Sequence, residues 1–358
     1  MIGIRSLGFT AGIDSYVTEV AMRLAKKGHC ITVLCRSGYV VTKNHNDIHV
    51  VAVRTIKNKY LGTPLYAFFS TIYVLTHRFD VISYHGLGSA GFSFLPRLFG
   101  RKVTVTIHAL DWEGKKWSFF SRKVLCLAAT MAIRFSNCTT VVSRYVKEYF
   151  ENHHNRNVTY IPNGTSDAIP REPELIKEYG LKDGNYILFL GRLAPGKGCE
   201  YLMDAFGRLK LDLKLVIAGD AINEREYVES LRKMGGKNII FTGWVQGPIK
   251  EELLSNAYLF IQPSELEGMS GVLLEAMSYG RCIVASDIPQ NLEVIGETGF
   301  SFRSGDADDL KRIIEFLVEN KEKARSHGNL GKERVLRCYH WDRIADEWQK
   351  TYCAVLGN

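Results

Sequence analysis

Two glutamates eight residues apart, Glu267 and Glu275, stand in the stretch Pro263–Met277, PSELEGMSGVLLEAM. Between them Gly268, Met269, Ser270 and Gly271 make a turn of mostly small residues ahead of an apolar helix start. Free backbone N–H groups at a helix N-terminus form an anion site. A carboxylate beside such a site repels a bare anion. The combination suits an anion that is one part of a longer ligand, whose hydroxyls reach the carboxylates. The two Glu are at most about 12 Å apart if the intervening residues are all helical, the scale of a diphosphate with a ring at each end, and a nucleotide sugar is such a ligand. About seventy residues upstream, GRLAPGKG places Arg192 and Lys197 in a turn with Gly191, Gly196 and Gly198, where backbone can approach closely. Arg and Lys five apart in a loop after a strand can clamp a diphosphate. The spacing is not that of the Gly-x-x-x-x-Gly-Lys-Ser/Thr phosphate loop. Taken singly, each feature has a plainer reading: acidic residues favouring a helix dipole, or a solvated basic turn.

Taken together they are more specific. Glu-x7-Glu followed by Ala-Met-x-x-Gly, downstream of the Arg192/Lys197 turn, closely resembles the retaining nucleotide-sugar glycosyltransferases of the GT-B fold, the large family-4 group. The resemblance covers nearly the whole chain, with its sharpest motifs in the second half. It implies a sugar transferred from a nucleoside diphosphate donor to an acceptor hydroxyl with retention, by front-face attack in which the leaving phosphate oxygen takes the acceptor's proton. It also implies that Arg192 and Lys197 neutralise the leaving diphosphate, that Glu267 contacts the sugar hydroxyls and that Glu275 takes both ribose hydroxyls. Met269, Ser270 and Gly271 would offer backbone N–H groups, and Val245, after Trp244, would hold the base through its backbone. The expected cofactor is none: no paired-Asp or His/Glu metal motif is found, so the reaction is expected to be metal-independent.

In the first half, LGFTAGIDSY is a compressed form of the family's Gly-rich first loop, with Gly12 turning a helix N-terminus toward the diphosphate. Asp14 reads equally as an acceptor contact or as an N-cap. His108 ends a strand in TVTIHALDW; it is a structural His or, as the resemblance implies, a donor-sugar contact. Asp111 and Trp112 are candidates for the acceptor side, and His85, in YHGLG, is another strand-end candidate. His153 and His154 read as surface residues. HALDWEGKKW resembles bacterial and archaeal rhamnosyl- and related transferases, which implies a lipid-linked or surface-polysaccharide acceptor. Two other functions fit the fold class: a nucleotide-sugar epimerase or hydrolase, and a non-catalytic nucleotide-sugar-binding protein.

These residues need a scaffold, and 358 residues suffice for two domains. The expected fold class is α/β: two doubly wound Rossmann-like domains facing across a cleft, over residues 1–165 and 173–340, with a helix over 341–358 crossing back to the first. Short apolar strands alternate with helices in both halves. Trp341 and Trp348 fall on one face of the last helix as packing residues. Ile161–Pro173 reads as the linker. The eight Cys form no Cys-x-x-Cys pair and are expected to be reduced and mostly buried. No signal-peptide pattern opens the chain and no apolar run spans a membrane. The net charge of +8 is uneven, with +12 up to Ala168 and −4 beyond. A basic first half suggests an anionic partner. Nucleic acid is disfavoured for want of a binding motif, so an anionic membrane surface is expected, with a cytoplasmic location peripheral to the inner face of the membrane. Leu61–Leu75 and Trp117–Phe135, flanked by Arg78, Lys115, Lys116, Arg122 and Lys123, are either core-facing helices with basic ends or a surface that rests on lipid.

Overall fold

A computed structural model describes residues 1–8, 12–39, 44–45, 47–56, 58, 61–114, 118–221 and 224–357. Phe9–Ala11 of the first Gly-rich loop, Lys115, Lys116 and Trp117 lie outside the described residues. The chain divides into two compact units, Met1–Gly164 with Trp341–Asn358, and Thr165–His340.

The first unit is built on a sheet of β1 (Ile2–Ile4), β2 (Ile31–Arg36), β3 (Asn44–His45), β4 (Ile48–Val53), β5 (Ile82–His85), β6 (Val103–Ile107), β7 (Cys138–Val141) and β8 (Thr159–Tyr160). Their order is β3-β4-β2-β1-β5-β6-β7-β8, parallel except for β3 against β4. The chain winds outward from β1 in one direction and then returns to wind outward from β5 in the other. The β1/β5 boundary is therefore a topological switch point, where loops diverge at the strands' carboxyl ends. β6 is buried at every position, as a strand covered on both faces must be.

The last helix, Trp341–Leu356, packs on the helix Ile13–Lys26 of this same unit. Trp348 is fully buried there and donates through Nε1 to the Tyr16 hydroxyl at 2.7 Å. Arg23 and Lys27 reach Asp342 and Asp346 along the same seam.

The second unit holds β9 (Tyr186–Leu190), β10 (Lys214–Ala218), β11 (Ile239–Gly243), β12 (Leu259–Gln262), β13 (Cys282–Ser286) and β14 (Phe300–Phe302), all parallel in the order β11-β10-β9-β12-β13-β14. Here the switch point lies between β9 and β12. The central strands β9, β12 and β13 are buried throughout, with Leu202, Phe206, Leu310 and Ile314 in the same apolar cluster as Phe189 and Ile217.

The helix Arg144–His154 carries His153 and His154, and β8 follows it. His85 is the last residue of β5. The Cys are all unpaired, but Cys35, Cys199 and Cys282 alone are buried, while Cys30 and Cys126 are exposed. The core-facing reading of the second apolar helix, Phe119–Phe135, is also corrected. Only Ala129, Ala132 and Ile133 are buried, and Phe119, Phe120, Val124 and Leu127 stand in solvent. Among the described residues no helix is long and apolar enough to cross a membrane.

Candidate active site

The second unit gathers its charged groups at the β9/β12 switch point. After β9, the chain turns through Gly191–Gly198 before the helix Cys199–Gly207. After β12, it runs through Pro263–Ser270 before the helix Gly271–Ser278. The two loops touch: Glu265 N–H donates to the Gly196 carbonyl at 2.9 Å. Gly198 is needed where they meet, because at φ +72 a Cβ there would lie 2.0 Å from the Pro263 oxygen. This close approach brings Lys197 Nζ to 2.5 Å from Glu267 Oε1. Gln262, the last residue of β12, donates Nε2 to the same oxygen at 2.9 Å. Its Oε1 is buried without a partner. Arg192, in the same turn as Lys197, is exposed.

Ser270 caps the next helix, its hydroxyl accepting from Leu273 N–H at 3.3 Å. The N–H groups of Gly271 and Val272 precede the first intrahelical bonds and are the free donors expected of a helix start. Met269 is buried beside them, whereas Gly271 is exposed. Glu275 lies one turn further along, on the face of Gly271. Its Oε1 is 2.7 Å from Lys250 Nζ, on the helix Pro248–Asn256 that follows β11. Nothing in the sequence reading pointed to Lys250. In the loop between, Val245 is buried and Trp244 half-exposed. The structure thus brings Lys197, Glu267, Ser270, Gly271 and Glu275 together at the carboxyl edge of one sheet, adding Gln262 and Lys250. Among the described residues no three His, Cys, Asp or Glu gather in a metal-binding group.

In the first unit, Gly12, His85 and His108 lie after or at the ends of the adjacent strands β1, β5 and β6. Gly12 is the N-cap of the helix Ile13–Lys26 at φ 52, a conformation suited to glycine. Asp14 is therefore not the cap. It is buried, and both its oxygens serve Arg5: Oδ2 accepts from Nε and Nη2 at 2.9 and 2.7 Å, and Oδ1 from the backbone N–H at 2.6 Å. Asp14 thus forms a buried ion pair with Arg5. His85 is fully buried, its Nε2 is 3.2 Å from the Ser83 hydroxyl, and its ring packs near Trp348 and Tyr16. Trp112 packs against the rings of Tyr149 and Phe150, and Asp111 opens the short helical turn that holds it.

His108 stands edge-on to Tyr16 at 5.0 Å, and its Nε2 is buried with no partner. That leaves a hydrogen-bonding atom uncommitted. Burial holds its pKa down, from the usual 6.5 to about 3, and holds that of His85 well below 6.5, with His108 adding to the effect. Both rings are neutral in the folded protein at neutral pH. A depressed folded-state pKa contributes stability that is full above the unfolded value and is lost as pH falls toward the folded one. For His108 the window runs from 6.5 down to about 3, with a slope of about 1.4 kcal/mol per pH unit. Urea unfolding at a series of pH values should show this slope reduced in His108→Gln; an unchanged slope would remove His108 from the account.

Two doubly wound α/β units in one chain, with charged loops at a switch point, define the GT-B class of fold. Residues 171–334 match the family model for glycosyl transferases group 1, and residues 10–168 match that for glycosyltransferase family 4. The chain thus carries a group 1 glycosyltransferase domain preceded by a family 4 domain. Sucrose-phosphate synthase from Thermosynechococcus elongatus superposes with a TM-score of 0.86 at 20% identity, over 99% of this chain and 96% of that one. Anabaena Alr3699/HepE in complex with UDP and glucose superposes with a TM-score of 0.83 at 17% identity, over 99% of each chain. In sequence, the chain is 30% identical over 186 residues to alpha-maltose-1-phosphate synthase of Mycobacterium tuberculosis, and the match spans about half the length of each protein, 48% of both.

Proposed function

We propose that this chain is a retaining glycosyltransferase that moves a sugar from a nucleoside diphosphate donor to an acceptor hydroxyl on a lipid-linked or surface-polysaccharide precursor. The observation that carries the reading is the Lys197–Glu267 pair at the β9/β12 switch point, beside the Ser270-capped helix start. The Anabaena neighbour's complex with UDP and glucose supports a nucleotide-sugar donor. On this reading the chemistry must stabilise an oxocarbenium-like sugar and a departing diphosphate. Lys197 and the N–H groups of Gly271 and Val272 are held in place before charge develops, so they neutralise the leaving group with little reorganisation, and the exposed Arg192 adds a second cation from the same turn. That assigns to the protein's own cations the work a metal ion does elsewhere. Glu267 accepts from sugar hydroxyls and Glu275 from the ribose. His108, neutral and with a free Nε2, is a hydrogen-bond partner for the sugar rather than a charge.

The acceptor side rests on the first unit's surface. That unit holds 23 Lys and Arg against 11 Asp and Glu, a net +12. Phe119 and Phe120 are each 75% exposed, on a helix that also carries Arg122 and Lys123 and has no acid in its first turn. Lys123 Nζ lies 4.6 Å from the centre of the Phe119 ring. Exposed aromatic residues interleaved with cations suit the interface of an anionic bilayer, so a lipid-linked acceptor is met at the membrane surface.

Labelled UDP-, GDP- and ADP-sugars, incubated with the protein with and without membrane extract, test the function. Acceptor-dependent product is expected; conversion without acceptor would favour an epimerase or hydrolase, and binding without turnover a non-catalytic protein. Sedimentation with vesicles containing phosphatidylglycerol tests the surface. Phe119→Asp with Phe120→Asp should lower the bound fraction at least about tenfold, since it removes buried apolar area and adds two repelled charges; equal binding by both proteins would refute the surface.

A further inference from the structure

Each of the two motif glutamates has its own lysine, and the two pairs are not alike. Lys197 belongs to the diphosphate turn, and its partner Glu267 also accepts from Gln262. Lys250 comes from a different element, the helix after β11, and reaches across to Glu275 on the helix after β12. Both members of this second pair are largely sheltered, with side chains 19% and 28% exposed. The ammonium meets one carboxylate oxygen, Oε1, at 2.7 Å, and among the described residues Lys250 is the ion-pair partner of Glu275. A lysine ammonium has three donors and no acceptor; a carboxylate accepts only. Together they offer what a sugar diol requires, because each hydroxyl both donates and accepts.

We propose that Lys250 and Glu275 form one ribose-reading unit, in which Glu275 accepts from the vicinal hydroxyls and Lys250 donates to a hydroxyl oxygen while fixing the carboxylate. This rests on the donor reading above, and it makes Lys250 a specificity-determining residue for ribonucleotide over deoxyribonucleotide donors. Its position supports the assignment. Lys250 is the third residue of a helix entered directly from the Trp244–Gly247 loop, which is assigned to the base, and its ammonium meets Glu275. A deoxy analogue would leave a sheltered charged pair without its partner, the situation in which a missing hydroxyl is most strongly rejected.

The test is titration calorimetry of the full chain with UDP, GDP and ADP, then with the 2′-deoxy form of whichever binds tightest. Wild-type protein should favour the ribonucleotide by about tenfold or more, the effect of one hydrogen bond to a charged group. Lys250→Met should weaken the ribonucleotide at least about threefold and leave the deoxy affinity within about twofold, so that the preference shrinks without vanishing because Glu275 still accepts from the 2′-hydroxyl, while Lys250→Arg, which keeps a cation and donors, should retain the full preference. If Lys250→Met weakens both nucleotides equally, or leaves the ratio intact, Lys250 does not read the ribose. If Lys250→Met does not fold, the Lys250→Arg ratio decides: a preference that falls to unity despite the retained cation overturns the proposal, and one that persists upholds it. Wild-type protein that binds none of the three nucleotides would instead sink the donor reading itself.

Discussion

Lys197→Ala should lower sugar transfer by about 10²–10³-fold, the loss associated with removing one preorganised donor to a developing anion. The size follows from where the lysine is held. Its turn is pinned by the Glu265–Gly196 backbone bond and the Gly198 contact with Pro263, and its ammonium is 2.5 Å from Glu267. A cation fixed that tightly gives up little entropy when the leaving group gathers charge, so its whole interaction is available to the transition state. The loss should fall mainly on kcat, with KM for the donor changing less, because Arg192 and the helix N–H groups remain to bind the ground state. Lys197→Arg should recover only part of the rate, since a planar guanidinium cannot occupy an ammonium's place in the turn. A circular dichroism spectrum matching wild type confirms that the variant is folded. Unchanged turnover in folded Lys197→Ala would remove the diphosphate clamp from the mechanism.

The second large effect concerns stability. Trp348→Ala should cost about 3–5 kcal/mol, the range for deleting a buried aromatic ring. Trp348 is 0% exposed, its Nε1 bonds the Tyr16 hydroxyl, and its ring meets those of Tyr16, His85 and Tyr352. The variant leaves both a cavity and a buried Tyr16 hydroxyl that has lost its donor. Because the last helix belongs to the first unit, the loss should appear in that unit's unfolding transition and leave the transition of Thr165–His340 in place. Urea unfolding followed by hydrogen exchange in the two units separates them. A uniform shift of both, or a cost below about 1 kcal/mol, would mean that the helix does not anchor the first unit.

What was legible in the sequence was what is local. Glu267, the Ser270 turn and Glu275 lie within one loop and one helix, so their spacing along the chain is nearly their spacing in space. The parallel sheets were legible too, because strands such as Tyr186–Leu190 and Leu259–Gln262, buried on both faces, read as unbroken apolar runs. β8 and β14, two and three residues long, are shorter than any pattern that marks a strand. His85 is the last residue of β5, as its strand-end place in YHGLG suggested, but its full burial against Tyr16 and Trp348 depends on packing that the motif does not show. Asp14 looked like a cap because acidic residues favour that place, but a glycine at φ 52 took it and Arg5 took the carboxylate. Lys250 carries no motif; its meaning comes from a partner on another helix. The solvent-facing aromatic residues of Phe119–Phe135 have the composition of a core helix, and only the packing distinguishes them.

The central claim is that the loops after β9 and β12 grip a diphosphate, and the most direct measurement is the affinity of a nucleoside diphosphate against its parent nucleoside, in wild-type protein and in Arg192→Ala with Lys197→Ala. The account predicts that the wild type binds the diphosphate at least about a hundredfold more tightly, as two charge-assisted contacts would give, and that the double variant loses most of that margin. Equal affinity for diphosphate and nucleoside in the wild type, or a margin that survives both substitutions, would contradict it.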